Sequence, residues 1–207
     1  MTNINKRERL IDSASTMFHA RGMAATSLAD IAKHADIPIG NVYYYFKTKE
    51  DLALAALNLR REQFAYKYVQ LQETIADPRQ RLIEALGYYD SLREEYTKHG
   101  CPISKMIETT AGEPDAVSKL AAQCLADFVG WAEHQFGELG HGATAKTYAT
   151  SLMAGIQGAT VMAKAFQQPQ VFSDEIARLV SWVEAMPNRR ITLGKVGVKP
   201  NAESDAA

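Results

Sequence analysis

Residues 26–49, TSLADIAKHADIPIGNVYYYFKTK, predict two short helices joined by a tight turn. Ser27 is a good N-cap residue, and Asp30 in the first turn favours the dipole of a helix that begins just after the cap. Apolar residues recur at helical spacing until Asp36 is reached. Pro38 suits the first position of a second helix, because its fixed φ fits there and its missing N–H is not needed. The segment is therefore typical of a helix-turn-helix unit.

The second helix has an inward and an outward face. Val42 and Phe46 can anchor it to a core, whereas Asn41 and the tyrosines at 43–45 carry hydrogen-bonding groups. Three consecutive residues span more than one helix face, so at least one tyrosine must point outward, with core aromatics as the alternative for the others. Gly40 lets the backbone approach another surface closely. Such a helix is suited to reading bases in a DNA groove.

Basic residues follow the second helix. Lys47 and Lys49 suit contacts with phosphates, and Thr48 can cap a long helix that starts beside them. Segment 6–61 holds nine Lys or Arg against six Asp or Glu, a net charge of +3, whereas the remainder has fourteen against eighteen, a net charge of −4. A solvated surface with a chance imbalance is the alternative explanation. The small basic excess supports a nucleic-acid partner only together with the helical pattern.

Spaced residues at the end of the second helix form a pattern, which comprises Gly40, Tyr43, Tyr45, Phe46 and Lys49. It resembles the string G-x-x-Y-x-Y/H-F-x-x-K that ends the recognition helix in the TetR family of bacterial transcriptional repressors. Upstream residues also fit the family pattern, namely Leu10, Ile11, Ala14, Phe18, Gly22, Thr26, Asp30, Ile31 and Ala32. Two positions depart from it, since Asp36 replaces the usual turn glycine and Pro38 replaces a hydroxyl residue that often contacts a phosphate.

The resemblance implies a homodimer whose two recognition helices enter successive major grooves of a pseudo-palindromic, double-stranded operator. It also implies roles by position. The residues expected on the groove floor are Gly40, Asn41 and Tyr43. The residues expected near the DNA backbone, with the adjoining Ser27 and Lys47 included, are Thr26, Ser27, Tyr44, Lys47 and Lys49.

Composition indicates an ordinary soluble protein. With 207 residues, 46% of them hydrophobic, the chain can bury the core of one large or two small domains. No run approaches the roughly 20 apolar residues of a membrane span. The polar start MTNINKRERL lacks the apolar stretch of a secretory signal, so we expect a cytoplasmic protein with free thiols at Cys101 and Cys124. No motif indicates a metal or another cofactor.

Helical periodicity dominates the whole chain and predicts an all-α fold of about nine helices. Residues 1–48 would form a three-helix DNA-binding domain with a helix-turn-helix, residues 49–187 a helical effector-binding and dimerisation domain, and residues 188–207 a loosely ordered tail. A long fourth helix, from Lys49 towards Ile75, would link the two domains. Asp77 and Pro78 mark the start of a fifth helix that ends near Gly100.

The eighth predicted helix, about 143–166, is rich in small residues that let helices approach closely: Ala145, Ala149, Ser151, Ala154, Gly155, Gly158, Ala159 and Ala163. The resemblance implies dimerisation through the last two helices. The stripe of small residues would then form a four-helix interface with the face made by Ile176, Leu179, Val180 and Val183. A contact between helices of the same chain is the alternative.

Helices five to eight carry side chains that together could line a pocket for an apolar or aromatic ligand: Tyr88, Tyr89, Met106, Phe128, Trp131, Tyr148, Met153 and Phe166, with Gln157 or Glu108 as polar anchors. Core packing is the alternative for each of them. The effector-binding candidates are Tyr89, Met106, Phe128, Trp131, Tyr148 and Gln157. The resemblance implies that a bound effector acts through helix four and changes the spacing of the two DNA-binding domains of the dimer.

Cys101 suggests a thiol sensor for an electrophilic effector. It lies at the expected N-cap of a short helix, with Lys98 before it and Lys105 after it, a setting that stabilises a thiolate. The pair of Gly100 and Cys101 is similar to the start of the same helix in some TetR-type regulators that respond to oxidants or electrophiles. A small residue packed under a helix start is the alternative. Cys124, inside an apolar stretch, is expected to be inert.

These observations favour a TetR-type transcriptional regulator, a repressor that is released by a small-molecule or thiol-reactive effector. The alternative from another class is an all-α thiol-dependent enzyme that uses Cys101. A nucleophile needs a base oriented by a third group, and the five histidines show no spacing that suggests a dyad or a metal site. The sequence therefore favours the regulator over the enzyme.

Overall fold

The computed structural model describes residues 5–107 and 114–188, so Glu108 and residues 189–207 of the predicted tail lie outside the described residues. All regular structure in these ranges is helical, which confirms the all-α class. The helices are α1 (Lys6–Arg21), α2 (Leu28–His34), α3 (Ile39–Tyr45), α4 (Lys49–Thr74), α5 (Pro78–Ser91), α6 (Arg93–His99), α7 (Ser104–Ile107), α8 (Ala116–Glu138), α9 (Ala145–Phe166) and α10 (Pro169–Ala185), with a 3₁₀ turn at Gly142–Thr144. None of the described helices is long and apolar enough to cross a membrane.

Side-chain caps set the beginnings of α2 and α4. The Ser27 hydroxyl accepts a hydrogen bond from the Asp30 backbone N–H at 3.1 Å, and the Asp30 carboxylate accepts one from the Ser27 backbone N–H at 3.0 Å. The hydroxyl of Ser27 also donates to this carboxylate, and these bonds hold the pKa of Asp30 below its usual range. Thr48 and Asp51 form the same reciprocal cap at α4. The caps predicted at Ser27 and Thr48 are confirmed.

The turn between α2 and α3 contains a non-glycine residue in the left-handed conformation. Asp36 has φ of +53°, at the position where a glycine would carry less strain. Arg9 of α1 donates hydrogen bonds to the carbonyl oxygens of Ala35 and Asp36, and its Nη2 lies 3.7 Å from the Asp36 carboxylate. Arg9 therefore satisfies carbonyls at the C-terminal end of α2 that have no partner within the helix.

The predicted fifth helix is divided into α5 and α6. Leu92 leaves the helical conformation, with φ of −97° and ψ of 4°, and its N–H bonds to the Tyr89 carbonyl three residues back at 3.0 Å. This tightening ends α5 and adds one helix to the predicted number. The predicted end at Gly100 is confirmed, because this residue has φ of +80° and its N–H caps α6 at the Tyr96 carbonyl.

Two clusters of buried side chains form the core. The N-terminal cluster joins α1 to the first half of α4, and Leu10, Ile31 and Leu52 are fully buried in it. The cluster also includes side chains that follow the linking helix in sequence: Cys101, Ile103, Met106, Val117 and Ala121. The second cluster fills the space among α4, α5, α6, α8, α9 and α10. The packing of the N-terminal helices thus extends into the C-terminal part.

Most small residues of α9 pack within the chain. Ala145, Ala149 and Ala163 are buried, and a Cβ on Gly155 would lie 3.0 Å from the Leu179 side chain of α10. The glycine therefore permits close approach of α9 and α10. Other residues lie in the same packed core, namely Ile176, Leu179 and Val183, with Val180 partly buried against it. The prediction that these α10 side chains form a dimer face is wrong, because they are used inside the chain.

Candidate nucleic-acid interface and ligand cavity

Helix α3 is anchored by two apolar residues and presents three aromatic ones. Val42 is 0% exposed and Phe46 4%, which confirms the predicted inward face. The tyrosines at 43–45 are exposed by 50, 78 and 37% in chain order. All three therefore reach the surface, and the alternative that some are core aromatics does not hold. Exposed aromatic rings grouped on one helix are a mark of a binding surface.

Gly40 and Asn41 lie on the same short helix as the exposed tyrosines. Gly40 is exposed, and no atom lies within 4 Å of the place where its Cβ would be. The fold of this chain therefore does not need a glycine there. Asn41 is half-buried, one turn before Tyr44 and Tyr45, whose rings contact edge to face at 4.9 Å. The structure brings the three predicted groove residues Gly40, Asn41 and Tyr43 onto one helix with Tyr44.

The two lysines beyond α3 have different surroundings. Lys47 is exposed, and its Nζ donates to the Tyr43 carbonyl at 2.9 Å. The Nζ of Lys49 is partly buried and donates to the Met23 carbonyl at 2.8 Å, which ties the start of α4 to the loop before α2. Lys47 is thus the more accessible cation for a phosphate. Ser27 is exposed at the start of α2, where it serves as the cap.

Thr26 does not share this surface. Its side chain is 1% exposed, and its hydroxyl donates to the Gly22 carbonyl at 2.8 Å. Its backbone N–H bonds to the Met23 carbonyl. Both donors that a phosphate would use are therefore occupied in the turn between α1 and α2. The predicted phosphate contact of Thr26 is corrected to a structural role in this turn.

A cavity of about 440 Å³ lies in the C-terminal part, lined by residues of α4, α5, α6, α8 and α9 and of the segment before α7. This volume is within the range of small-molecule sites in proteins. Five aromatic side chains dominate its wall, and they are Phe64, Tyr68, Tyr89, Tyr96 and Trp131. The rings of Tyr68 and Trp131 stack at 4.7 Å with an interplanar angle of 19°. Such a wall suits a flat apolar ligand.

Three of the six predicted effector residues line this cavity: Tyr89, Trp131 and Gln157. The other three do not. Met106 belongs to the N-terminal cluster, Phe128 is 2% exposed in the second cluster, and Tyr148 packs against Phe136 and Trp182. Core packing accounts for these three residues.

Sequence reasoning missed the contribution of α4 to the wall. This helix supplies Arg61, Phe64, Ala65, Tyr68 and Gln72, which recur at helical spacing and therefore share one face. The sequence shows this spacing, but the same spacing is also typical of a helix face packed in the core, so it does not distinguish a cavity wall from core. Tyr96, which lies on α6, was also missed.

An ion pair joins α4 to α8 beside the cavity. Arg61 Nε donates to Asp127 Oδ2 at 2.5 Å, and Gln123 donates to the other carboxylate oxygen at 2.8 Å. Although partial burial opposes it, hydrogen bonding by Arg61 and Gln123 keeps the pKa of Asp127 below its usual range. The Asp127 carboxylate therefore stays ionised at neutral pH and remains paired with the Arg61 guanidinium.

Cys101 lies in the wall of the cavity rather than at a helix cap. Helix α7 begins at Ser104 and has four residues, and Lys105 Nζ donates to the His19 carbonyl at 2.6 Å. The short helix therefore does not begin at Cys101, and the Lys105 ammonium is bound to a carbonyl of α1. Cys101 is 4% exposed, and Gln157 Nε2 lies 3.5 Å from its Sγ as a donor. Cys124 lines the same cavity, and burial raises its pKa to about 11, so it is a thiol at neutral pH.

A polar junction connects the cavity wall to α1. The His19 ring Nε2 donates to the Gly100 carbonyl at 2.7 Å, next to Cys101 in sequence. Burial lowers the pKa of His19 to about 4, so the ring is neutral at physiological pH. Within the described ranges, no group of three or more His, Cys, Asp or Glu side chains is placed to hold a metal ion.

A buried anchor and an exposed aromatic face on the second helix of a helix-turn-helix, followed by an exposed lysine, are the arrangement expected of a DNA-reading unit. The comparisons with known proteins agree. Residues 10–56 match the family described as bacterial regulatory proteins, tetR family. The match therefore assigns the N-terminal part of the chain, residues 10–56, to the TetR family. The relatives that the chain resembles are named as transcriptional regulators.

The relatives cover different shares of the chain. It is 35% identical over 78 residues to the transcriptional repressor KstR2 of Mycolicibacterium smegmatis, which is 38% of each protein. It is 24% identical over 163 residues to the transcriptional regulator LmrA of Bacillus subtilis, 76% of this chain and 86% of LmrA. A TetR transcriptional regulator from Legionella pneumophila has the same fold, with a TM-score of 0.80 over 88% of this chain and 99% of that one at 16% identity.

Proposed function

We propose that this protein is a repressor that binds a pseudo-palindromic operator as a homodimer and leaves it when a small molecule occupies the cavity. The observation that carries the proposal is the set of exposed tyrosines on α3, held outward by the buried Val42 and Phe46. The similarity to KstR2, which is named a repressor, supports repression as the direction of control.

The proposed contacts follow the accessibility of the side chains. Gly40, Asn41 and Tyr43 meet the base edges in the major groove, where backbone approach and hydrogen bonding are both needed. Phosphates are contacted by the exposed Tyr44 and Lys47, with Lys49 at the margin, whereas both donors of Ser27 are bound to Asp30 in the cap of α2. We divide the chain into a DNA-binding domain at 1–48, an effector and dimerisation domain at 49–187, and a tail at 188–207.

The proposed dimer interface is the outer face of α9 with the neighbouring face of α10. Val161 and Met162 are exposed by 65 and 45%, which is unusual for apolar side chains on an ordered helix. Ser151, Ala154 and Gly158 are exposed small residues on the same helix. Two copies packed here would bury these side chains and form a four-helix contact. Val161→Glu should convert the dimer to a monomer in light scattering, whereas an unchanged mass would contradict this interface.

The proposed release acts through α4. Its N-terminal end follows α3 directly, and one of its faces supplies the cavity wall from Asn58 to Gln72. We consider a ligand that binds more tightly to a conformation in which α4 is displaced. Such a ligand favours a spacing of the two DNA-binding domains of the dimer that no longer fits the operator. The junction of His19 with Gly100 gives α1 a second connection to the same wall.

Selection of random duplex DNA by the purified protein tests the proposal. We expect enrichment of a palindrome, and failure to enrich any sequence would contradict DNA reading. On the enriched duplex, Lys47→Ala should weaken binding and flatten its salt dependence by about one unit of slope. Lys146→Ala is the matched control, since it removes an exposed lysine at the start of α9.

A thiol-reactive effector is a second candidate, favoured by the position of Cys101 in the cavity wall. Cys101→Ser should preserve operator binding and abolish its release by an electrophile such as N-ethylmaleimide. Cys124→Ser is the matched control, because this thiol lines the same cavity. If Cys101→Ser is released as readily as the wild type, the thiol mechanism is wrong and non-covalent binding remains.

A further inference from the structure

The cavity wall contains hydroxyl donors without acceptors. The hydroxyl oxygens of Tyr68 and Tyr89 are 3.2 Å apart and hydrogen-bonded to each other. One of the two donates in this pair, and no acceptor for the other proton is found in the described part of the chain. Tyr96 is 4% exposed, and its hydroxyl makes no hydrogen bond to any described residue. Two O–H groups are therefore available to a ligand.

Two nitrogen donors of the same wall are also poorly matched. The indole Nε1 of Trp131 is buried and has no acceptor among the described residues. The amide of Gln157 donates only to sulfur atoms, Cys101 Sγ and Met153 Sδ, each at 3.5 Å. Sulfur is a weak acceptor, so this amide gains little from either contact. These donors therefore lack strong acceptors in the wall, and a buried donor left without a partner is costly.

The tyrosines keep their protons. Burial raises the pKa of Tyr68, Tyr89 and Tyr96 above the usual range, because a phenolate is poorly solvated there. All three hydroxyls are therefore O–H groups at neutral pH. They present donors and not negative charge to the cavity.

The charged groups of the lining do not favour an ionic ligand. Arg61 is the cation among the described lining residues, and Asp127 already occupies it. An anion would have to displace this carboxylate. An organic cation would gain aromatic faces and the carboxylate of Glu62, but it would leave the hydroxyl protons without acceptors.

We infer that the cavity takes an uncharged ligand with a flat apolar body and acceptor oxygens, such as an aromatic ketone or ester, with the Tyr96 hydroxyl as a donor to it. This inference rests on the proposed function, in which the cavity is the effector site. It adds the chemical class of the effector and the residue that selects for it.

Four naphthalene probes with one ring system and different substituents test this class: 2-acetonaphthone, 2-ethylnaphthalene, 2-naphthoate and 2-naphthyltrimethylammonium. Their affinities for the full chain are measured by calorimetry without DNA. We expect the ketone to bind about tenfold more tightly than the ethyl compound, as one buried hydrogen bond of roughly this strength gives. The carboxylate and the ammonium should bind more weakly than the ketone. Tighter binding of either ion, equal binding of the ketone and the ethyl compound, or no binding of any probe would overturn the inference.

Substitutions locate the donor. Tyr96→Phe should remove most of the tenfold preference for the ketone and leave the affinity for 2-ethylnaphthalene unchanged. Tyr88→Phe deletes the same hydroxyl from a tyrosine that does not line the cavity, and both affinities should persist. A ketone preference that survives Tyr96→Phe would contradict the assignment of this residue.

Asp127→Asn tests the charge argument. It leaves Arg61 without its carboxylate, and the affinity for 2-naphthoate should rise several-fold while that for the ketone stays constant. Unchanged binding of 2-naphthoate would contradict the view that Asp127 keeps anions out. Release of the selected duplex by the ketone is measured separately. If the ketone binds as expected but does not release DNA, the proposed control of repression fails while the ligand class stands.

Discussion

The α3 surface and the cavity differ in how the chain builds them. The surface comes from α2 and α3, two helices of seven residues each, and its outward side chains make few contacts with the rest of the molecule. The cavity collects residues from position 58 to position 157 on five helices. The α3 surface is formed by residues that are close in sequence, and two buried side chains, Val42 and Phe46, attach it to the core. The cavity exists only after long-range packing has brought the helices together.

The two sites also differ in the hydration of their polar groups. On the α3 surface, Lys47 and the hydroxyls of Tyr43 and Tyr44 are solvated in the free protein. Binding of DNA exchanges this water for phosphates and bases. In the cavity, the hydroxyl of Tyr96 is largely removed from bulk water and has no partner among the described residues. Unmatched donors therefore constrain the ligand of the cavity more strongly than they constrain the partner of the surface.

The largest effect on DNA affinity is expected from Val42→Asp, a substitution that should disrupt the α3 surface and leave the cavity intact. This position is 0% exposed, and an unpaired carboxylate there should detach α3 from the core. We expect affinity for the selected duplex to fall by more than about 100-fold, a loss of roughly 3 kcal/mol or more. Binding of 2-acetonaphthone, measured by calorimetry, should persist. Ala126→Asp, an exposed position on α8, is the control. Loss of ligand binding as well would show that the N-terminal cluster and the cavity fold as one unit.

Gly40→Ala is expected to weaken DNA binding less than Val42→Asp does and to increase the stability of the protein. No atom lies within 4 Å of the new Cβ, and alanine favours a helix over glycine by about 1 kcal/mol. The melting temperature should rise by a few degrees. DNA affinity should fall by about tenfold, because the methyl group occupies space needed for backbone approach to the groove. Unchanged affinity in a gel-shift titration would remove Gly40 from the contact surface.

The junction between the two regions should depend on pH through His19. Its pKa of about 4 in the folded chain lies below the ordinary 6.5, so between these values the unfolded chain binds a proton that the folded chain does not. The free energy of unfolding therefore falls as the pH decreases from 6.5 towards 4, and the stabilisation is complete above 6.5. His19→Gln keeps an N–H for the Gly100 carbonyl and should flatten urea-unfolding stability in this window. His34→Gln, at an exposed histidine of α2, should not. Equal slopes in the three proteins would contradict the role of His19.

The smallest effect is expected from Asp36→Gly in the turn before α3. Glycine accepts φ of +53° without the strain that a side chain causes, whereas the exposed ion pair with Arg9 contributes little. The free energy of unfolding should increase by up to about 1 kcal/mol. DNA affinity should stay the same, since the Arg9 bonds to backbone carbonyls remain. A decrease in stability would mean that the Asp36 carboxylate contributes more than its exposure indicates.

Sequence patterns predicted local features well. Ser27, Thr48, Asp77 and Gly100 mark helix ends where the structure has them, because a cap is a contact between residues only a few positions apart. The burial of Val42 and Phe46 also followed from helical spacing. Thr26 was misassigned, since its hydroxyl turns back to the Gly22 carbonyl and the spacing alone does not reveal that rotamer.

The sequence by itself determined the helical class, the helix-turn-helix and the inward anchors of α3, Val42 and Phe46, because these depend on propensities and periodicity within about 25 positions. Only the tertiary structure decided which aromatics line a cavity and which fill the core. Tyr89 and Phe128 have the same apolar setting in sequence, yet one lines the cavity and the other packs behind it. That outcome depends on the relative placement of five helices, and buried apolar area stabilises either arrangement equally well.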